Sequence, residues 1–491
     1  MLPHHGTLLG LQLQDAVGKG ASLPSTVVFD YPTARQLAQL LQSSFTGVVH
    51  EEAAPLACAL TSQGVVTLAG TSAKLPSGAS AMQQLAPHAV DAVGEVPAAR
   101  WDVTASSLSF PKPIASRVRH GGFVRGAELA DHAAFGVSRA EAAAMDPQQR
   151  LLLERGYAAL HEAALDRAAL AGSLTGVFLG FAGSEFAQVL AASPAGGSVY
   201  AATGSASSIA AGRLSYALGL HGPCVSYDTA CSAALAACHA ALRALQLDEC
   251  VTGLVAAVTL MLAPAIGTSF AIAGMTSARG RSHTFDARAD GYARGEACGA
   301  AAFGGGVEVV SGAAASVSGS AVRQDGRSAS LTAPNGQAQQ ALLRAALADA
   351  ATAPDALALG EAHGTGTALG DPIEAGSLAA AVLARRGDAA ALPLGGVKAN
   401  IGHAEPAAGM TGLLRLVLGL AAGEAAPNAQ LRVLNPHVGG ALGRGEGGSC
   451  ALPTQLGGVR TGDEVARAGG VSSFGYSGTI AHAVLELGNG R

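Results

Sequence analysis

The sequence is short of charge, and its cysteines form no recognisable pairing pattern. Only 13% of the 491 residues are charged, and the net charge is −5. A phosphate-binding face needs a concentrated basic surface, so nucleic acid is excluded as the main partner. The seven cysteines, at 58, 224, 231, 238, 250, 298 and 450, are odd in number, scattered, and never spaced C-x-x-C. Neither a disulfide framework nor a metal site is expected from them. Free thiols suit a reducing compartment. No basic, apolar and small-residue succession of the secretory kind opens the chain, so the expected location is cytoplasmic, with a plastid as the alternative.

Residues 250–278 carry no charge, which meets the length test for a membrane helix. Gly253, Thr259, Pro264, Gly267 and Gly274 interrupt that run, and Val251–Leu262 reads instead as a strand followed by a Pro-led turn. A strand covered on both faces is expected to be this apolar. No membrane span is expected.

What remains is a Gly- and Ala-rich chain long enough for one large or two to three ordinary domains. Residues 1–42 read as a small helical unit, ending in a helix at Ala34–Gln42. Ser, Thr, Gly and Pro mark residues 43–64 as a linker. From residue 65 onward strands and helices alternate, which argues for stacked α/β layers. Strands are expected at Val65–Ala69, Gly176–Gly180, Val317–Val322, Ala356–Glu361, Leu394–Ala399, Gly470–Phe474 and Ile480–Leu485. Helices are expected at Glu141–Ala159, with Asp146 as N-cap and Pro147 at the first helical position, and at Thr203–Leu218, Gln337–Ala351 and Met410–Ala422.

Residues 222–245 organise the rest. Cys224–Tyr227 reads as a short buried strand, and the Ala-rich stretch after it as a helix with Leu235, Cys238, Leu242 and Leu245 at helical spacing. Cys231 stands at the junction. Unpaired N–H groups and the helix dipole at that position favour a thiolate, the form that attacks. Taken alone, Cys231 reads equally well as a buried structural thiol.

Three later motifs bear on that choice. Glu361-Ala362-His363-Gly364-Thr365-Gly366-Thr367 puts a His at a strand end in a tight loop, and its glycines fit a dinucleotide loop poorly. Val397-Lys398-Ala399-Asn400-Ile401-Gly402-His403 puts Lys398 five residues before His403 across a strand-to-loop turn, with Glu405 near. Gly470–Thr479 is a Gly-rich stretch whose backbone N–H groups can approach a substrate closely. A thiolate makes an acyl-enzyme. Two neutral imidazoles can donate hydrogen bonds to a thioester carbonyl and stabilise an enolate. Lys398 can keep an imidazole neutral.

Together, Asp228-Thr229-Ala230-Cys231-Ser232, the His363 motif, Asn400-Ile401-Gly402-His403 and Ser473-Phe474-Gly475-Tyr476-Ser477-Gly478-Thr479 resemble a β-ketoacyl synthase of the type I polyketide synthase kind. Phe285–Gly291, Arg294-Gly295-Glu296, Gln324-Asp325-Gly326 and Leu331–Gly336 add to the resemblance, which covers about residues 65–487. It implies a thiolase fold: α/β, two similar halves (about 65–310 and 311–491) forming a five-layered α-β-α-β-α sandwich, usually dimeric. It makes Cys231 the nucleophile and gives His363 and His403 the malonyl thioester carbonyl. Lys398 would support His403, with Glu405 and Phe474 alongside. The backbone N–H groups of Cys231 and Tyr476 would form the oxyanion hole. Thr365 and Thr367 would contact a pantetheine arm. The reaction implied is decarboxylative Claisen condensation with malonyl-carrier, in polyketide or fatty acid synthesis, without metal or redox cofactor.

The expected partners are an acyl carrier protein in trans and a second copy of the chain. Residues 7–42, with Leu23–Thr33, resemble the back half of an acyl carrier protein, but Thr7 stands where that family has its phosphopantetheine Ser. Tyr476 replaces the usual Phe, Ile480 an Asn and Arg323 an Asn. A thiolase is the alternative of the same fold, yet it needs a second Cys in the C-terminal loop, and Gly470–Thr479 has none. A Cys–His hydrolase leaves His403 and Lys398 unexplained, and a catalytically silent partner subunit leaves all four site residues unexplained.

Overall fold

The uncharged run turns out to be a central strand. In the computed structural model every residue of Thr252–Thr259 is buried, and the Pro-led segment after it is a helix, Pro264–Ile272. The structure describes residues 13–14, 23, 27–31, 33–46, 65–78, 81–107, 110–305, 315–443, 449–459 and 467–488. Thr7, Cys58 and linker residues 47–64 lie outside them.

Eleven strands form one sheet. They are β1 Val66–Lys74, β2 Thr175–Gly180, β3 Cys224–Tyr227, β4 Thr252–Thr259, β5 Ala297–Gly305, β6 Ala315–Gln324, β7 Leu357–Glu361, β8 Leu392–Gly395, β9 Cys450–Ala451, β10 Arg467–Phe474 and β11 Thr479–Leu487. Their order is β9-β8-β7-β10-β11-β6-β1-β5-β4-β2-β3. This order contains the same five-strand pattern twice. In β1-β5-β4-β2-β3 the first two pairings are antiparallel and the last two parallel. In β6-β11-β10-β7-β8 the same sequence of pairings recurs. The two sets meet at β1 and β6 through only Val66↔Val317 and Thr67↔Ser316. That repetition is the two-half thiolase architecture, with β9 as a two-residue addition at one edge.

Helices make the other three layers. On one face lie α1 Pro147–Glu162 and α2 Ser207–Leu218, packed on the first five strands. Between the two sets run α3 Ala233–Gln246 and, beyond α4 Gly336–Asp349 and α5 Gly370–Ala381, α6 Ala408–Ala422. Helices α4 and α5 cover the far face of the second set. The middle helices are Ala- and Leu-rich because both sides of that layer face a sheet. Ten residues of α3 and ten of α6 are buried. Burial at roughly 25 cal/mol per Å² of apolar surface drives this stacking.

Several expected elements shift. Strand β3 forms where expected, but Cys224 and Val225 are exposed, because β3 is an edge strand. Residues 139–162 form two helices rather than one, since Asp146 caps Gln148 N and Pro147 restarts the helix. The Lys398 segment is not the end of a strand: β8 stops at Gly395, and Lys398–Ile401 is a helical turn. Near the N-terminus the helix runs Ala34–Thr46, four residues into the segment read as linker. Tyr31 Oη accepts a 3.0 Å hydrogen bond from Gln337 Nε2, which seats this unit on α4.

Candidate active site

Three of the four site elements start at strand ends in the middle of the molecule. After β3 the chain turns sharply at Ala230, whose φ of +53° is uncommon for a residue with a Cβ. That turn presents Cys231 in a 3-10 turn, Ala230–Ser232, directly ahead of α3. Ser232 Oγ lies 2.8 Å from Thr479 O and 2.9 Å from Thr229 O, and Ser473 Oγ donates to Cys231 O at 2.7 Å. The Cys231 elbow is therefore bound to the β10–β11 loop. Gly475 is needed there: a Cβ on it would lie 2.4 Å from Thr229 O.

His403 follows the Lys398 turn. Its Nε2 lies 3.0 Å from Cys231 Sγ, and its Nδ1 accepts the Glu405 N–H at 3.3 Å. His363 follows β7, and its Nδ1 accepts the Phe474 N–H at 3.2 Å. The two rings sit 5.5 Å apart, edge to face. A neutral imidazole that accepts at Nδ1 carries its proton on Nε2. Both rings are therefore set as Nε2–H donors.

Electrostatics keep them neutral. Burial, then the Lys398 charge, lowers both imidazoles well below their usual range, with Arg294 adding to the effect on His403. Lys398 is itself buried, which lowers its pKa against the opposing pull of Glu361, Glu374, Cys231 and Asp371.

The expectation of a standing thiolate fails. Burial pushes the Cys231 thiol up to about 12, and the Glu405 carboxylate adds to the rise. Lys398 and hydrogen bonds to the sulfur from the backbone N–H groups of Tyr476 and Cys231 pull it down without overcoming burial. The helix start supplies donors, but the site is too dry for a resting anion.

Supporting residues take less direct positions than expected. Glu405 turns its carboxylate away from the sulfur, to Arg294 at 2.6 and 3.0 Å, and only its backbone N–H touches His403. Phe474 packs its ring 5.3 Å from His363. Thr365 and Thr367 pair through their hydroxyls at 3.2 Å. Tyr476 is half-exposed, its ring edge against Phe270. Ile480 is fully buried and faces Arg323 across β11 and β6, so two of the departures from the family pattern are cross-strand neighbours.

Sequence reasoning missed an acidic layer. Glu374 accepts the N–H groups of His363 and Gly364 at 2.7 and 2.8 Å, and burial lifts its pKa to about 7. Asp371 accepts those of Phe285 and Gly366 at 2.8 and 3.0 Å, and burial lifts it to about 6. Together they fix the His363 loop. Arg294, quoted in sequence only as part of the Arg294-Gly295-Glu296 run, joins Glu405 to Glu185 in a buried ion triad. The available signal was the presence of carboxylates within Ala-rich helix starts, where charge needs a reason.

Among the described residues no cluster of three or more His, Cys, Asp or Glu is arranged to hold a metal, and no helix is long and apolar enough to cross a membrane.

A dry thiol flanked by two fixed N–H donors defines an acyl-transfer site of the thiolase fold. The chain matches the family profile "Beta-ketoacyl synthase, N-terminal domain" over residues 64–303 and "Beta-ketoacyl synthase, C-terminal domain" over 314–432. It is 39% identical over 494 residues to the spectinabilin polyketide synthase system protein NorC of Streptomyces orinoci, covering 98% of this chain and 21% of that protein. It is 41% identical to polyketide synthase GfsB of Streptomyces halstedii, covering 95% of this chain and 8% of the relative. The chain thus spans 21% and 8% of these relatives' length. Among solved structures, the oxazolomycin ketosynthase domain OzmH KS7 of Streptomyces albus superposes with a TM-score of 0.80 at 31% identity, covering 87% of this chain and 75% of the other. A ketosynthase from module 6 of the bacillaene synthase of Bacillus subtilis gives 0.79 at 31%, covering 87% and 72%. The chain belongs to the β-ketoacyl synthases, the enzymes that lengthen an acyl chain by decarboxylative Claisen condensation.

Proposed function

We propose that Cys231 takes an acyl group from a carrier thioester and that His363 and His403 then drive decarboxylation of a malonyl thioester. In the first half-reaction Sγ attacks the acyl carbonyl while the N–H groups of Cys231 and Tyr476 hold the developing oxyanion. The pantetheine sulfur leaves as a thiol, so the Cys231 proton ends on the leaving group and no standing thiolate is needed. In the second, the malonyl C–C bond breaks, CO₂ departs, and its electron pair forms an enolate whose oxygen accepts from the two Nε2–H groups. The enolate carbon attacks the acyl carbonyl, the new C–C bond forms as the C–S bond to Cys231 breaks, and the sulfur leaves as a thiolate that takes a proton from water. Thr365 and Thr367 contact the pantetheine arm. Lys398 keeps the imidazoles neutral, and no metal or redox group takes part.

The observation that carries this reading is the shared tautomer: each ring takes a backbone N–H at Nδ1 and is left with a donor at Nε2. The substrates are carrier-bound acyl and malonyl groups of polyketide chemistry, with fatty acid synthesis the second pathway, and the partner is an acyl carrier protein. Domain limits of 1–42, 43–64 and 65–491, the last divided near residue 310 and the first moved to residue 46 by the Ala34–Thr46 helix, accompany the proposal, as does a cytoplasmic location. A homodimer fits the exposed edge strand β3, where Cys224 and Val225 lie open, and α2, which packs on β3 and carries Tyr216 at 89% exposure. Incubation with an acyl thioester and malonyl-carrier tests the reaction. A 3-ketoacyl product seen by mass, absent in the His363→Ala protein, supports the reading. Acyl-Cys231 that forms and never condenses defeats it.

A further inference from the structure

Tyr292 stands one ring away from the reacting sulfur, with a hydroxyl that nothing in the chain uses. Its segment is held against the His403 turn: His403 N–H donates to Ala293 O at 2.7 Å, and Gly295 N–H donates to His403 O at 2.8 Å. The Tyr292 and His403 rings meet edge to face, 5.0 Å between centres. His403 Nε2 in turn lies 3.0 Å from Cys231 Sγ. Tyr292 is only 7% exposed. Its hydroxyl has no hydrogen-bond partner among the described residues, yet the oxygen keeps accessible surface. A buried tyrosine hydroxyl usually finds a partner. The chain does not supply this one.

Charge and shape decide what does. Burial, then the Glu405 carboxylate and Cys231, raise the phenol well above its usual range. The group therefore keeps its proton at any working pH and can donate it. The Glu405 carboxylate that raises it also disfavours a second anion, so the free carboxylate of a malonyl group is a poor match. Arg294, two residues on and so on the same face of the segment, lies 5.6 Å over the Phe270 ring, which meets the Tyr476 ring at 6.2 Å. Aromatic walls of this kind suit a neutral acyl chain. The C1 oxygen of an acyl group on Cys231 goes to the oxyanion hole, so the acceptor must lie further along. Condensation leaves an oxygen at C3, as a ketone or, once reduced, a hydroxyl. We propose that the Tyr292 hydroxyl donates to an oxygen on C3 of the acyl chain carried by Cys231, and so selects 3-oxygenated acyl groups over fully reduced ones. This rests on the acyl-Cys231 reading above.

The test acylates the full chain with pantetheine thioesters of 3-hydroxybutanoate, each enantiomer separately, and of 3-methylbutanoate. The two acyl groups share one shape and differ by OH against CH₃. Single-turnover acylation of Cys231 is followed by mass. The faster 3-hydroxybutanoyl enantiomer should outpace 3-methylbutanoyl by at least about threefold, the range of one neutral hydrogen bond. Tyr292→Phe deletes only the oxygen and keeps the ring on His403, and it should lower that ratio by about threefold to tenfold. A ratio that Tyr292→Phe leaves unchanged overturns the proposal. So does an equal loss for both acyl groups, which would make Tyr292 a positioning residue for His403. If Tyr292→Phe does not fold, the ratio in the unsubstituted chain decides alone, and a value below about threefold overturns the proposal. If no thioester marks Cys231 in the unsubstituted chain, the acyl-enzyme reading itself falls, and this proposal with it.

Discussion

His403 Nε2 stands 3.0 Å from the sulfur of Cys231, while its Nδ1 accepts a backbone N–H. The imidazole therefore donates to the sulfur and is not set to take its proton. With burial holding the thiol near 12, the thiolate fraction at neutral pH is small and grows about tenfold per pH unit. Alkylation of Cys231 by iodoacetamide, a neutral reagent, should thus rise with pH from 7 to 10 without levelling off. Rates measured by peptide mass across that range check this. A plateau below pH 8 would mean that the helix start does supply a standing thiolate.

The two histidines should separate by assay. Neither can be lost without losing an enolate donor, so His363→Ala and His403→Ala should each lower condensation by about 10² to 10³. Only His403 touches the sulfur. His403→Ala should also slow acylation of Cys231, by about tenfold for one donor to a charged atom, and His363→Ala should leave it unchanged. Single-turnover acylation and condensation, followed separately by mass, read the two effects. Equal acylation losses in both variants would contradict the geometry.

Much of this site was legible because its chemistry sits in short runs at strand ends. Cys231, His363, His403 and Lys398 each stand out from Gly- and Ala-rich surroundings; local spacing put Cys231 and His363 just past strand ends, whereas Lys398, read as the end of a strand, lies on a helical turn. What stayed hidden was long-range. Glu405 looked like a neighbour of His403, but its carboxylate answers Arg294, 111 residues away in sequence. Cys231 looked activated because a helix start is visible locally, whereas the burial that outweighs it comes from α6 and the β10–β11 loop. The duplicated strand order was also hidden, since it is carried by pairing and not by residue identity. Strand β3 looked buried because apolar content does not distinguish a central strand from an edge awaiting a partner.

The Arg294 triad makes a stability prediction. Arg294 is 7% exposed and holds both Glu405 and Glu185, while Glu185 Oε2 also accepts the N–H groups of Leu262 and Ala263. Arg294→Met keeps the length of the side chain but leaves two carboxylates without their cation. Breaking a buried pair from one side costs about 3 kcal/mol or more. Denaturant unfolding should show a loss of that order, and Glu405→Gln, which leaves Arg294 with Glu185, should lose less. A near-neutral Arg294→Met protein would mean the triad is not holding the His403 turn.

The last prediction concerns Lys398. Its charge is the second cause, after burial, of the lowered pKa of both histidines. A cation disfavours the imidazolium, so with Lys398 present both rings stay neutral as pH falls, and condensation from acyl-enzyme should be flat from pH 8 to below 6. Lys398→Met removes the cation and keeps the stem. The imidazole pKa values then rise toward the ordinary 6.5 without reaching it, because burial still opposes the charge. Protonation of Nδ1 turns its lone pair into a donor facing the backbone N–H that it now accepts, which breaks the anchoring of each ring. The variant should therefore match the parent most closely near pH 8 and lose activity at a higher pH than the parent as pH falls. Single-turnover condensation from pre-acylated protein, measured from pH 5 to 8, tests this apart from any effect on Cys231. A Lys398→Met profile parallel to the parent's, lower by a constant factor, would show that Lys398 works through contact with substrate rather than through the charge state of the histidines.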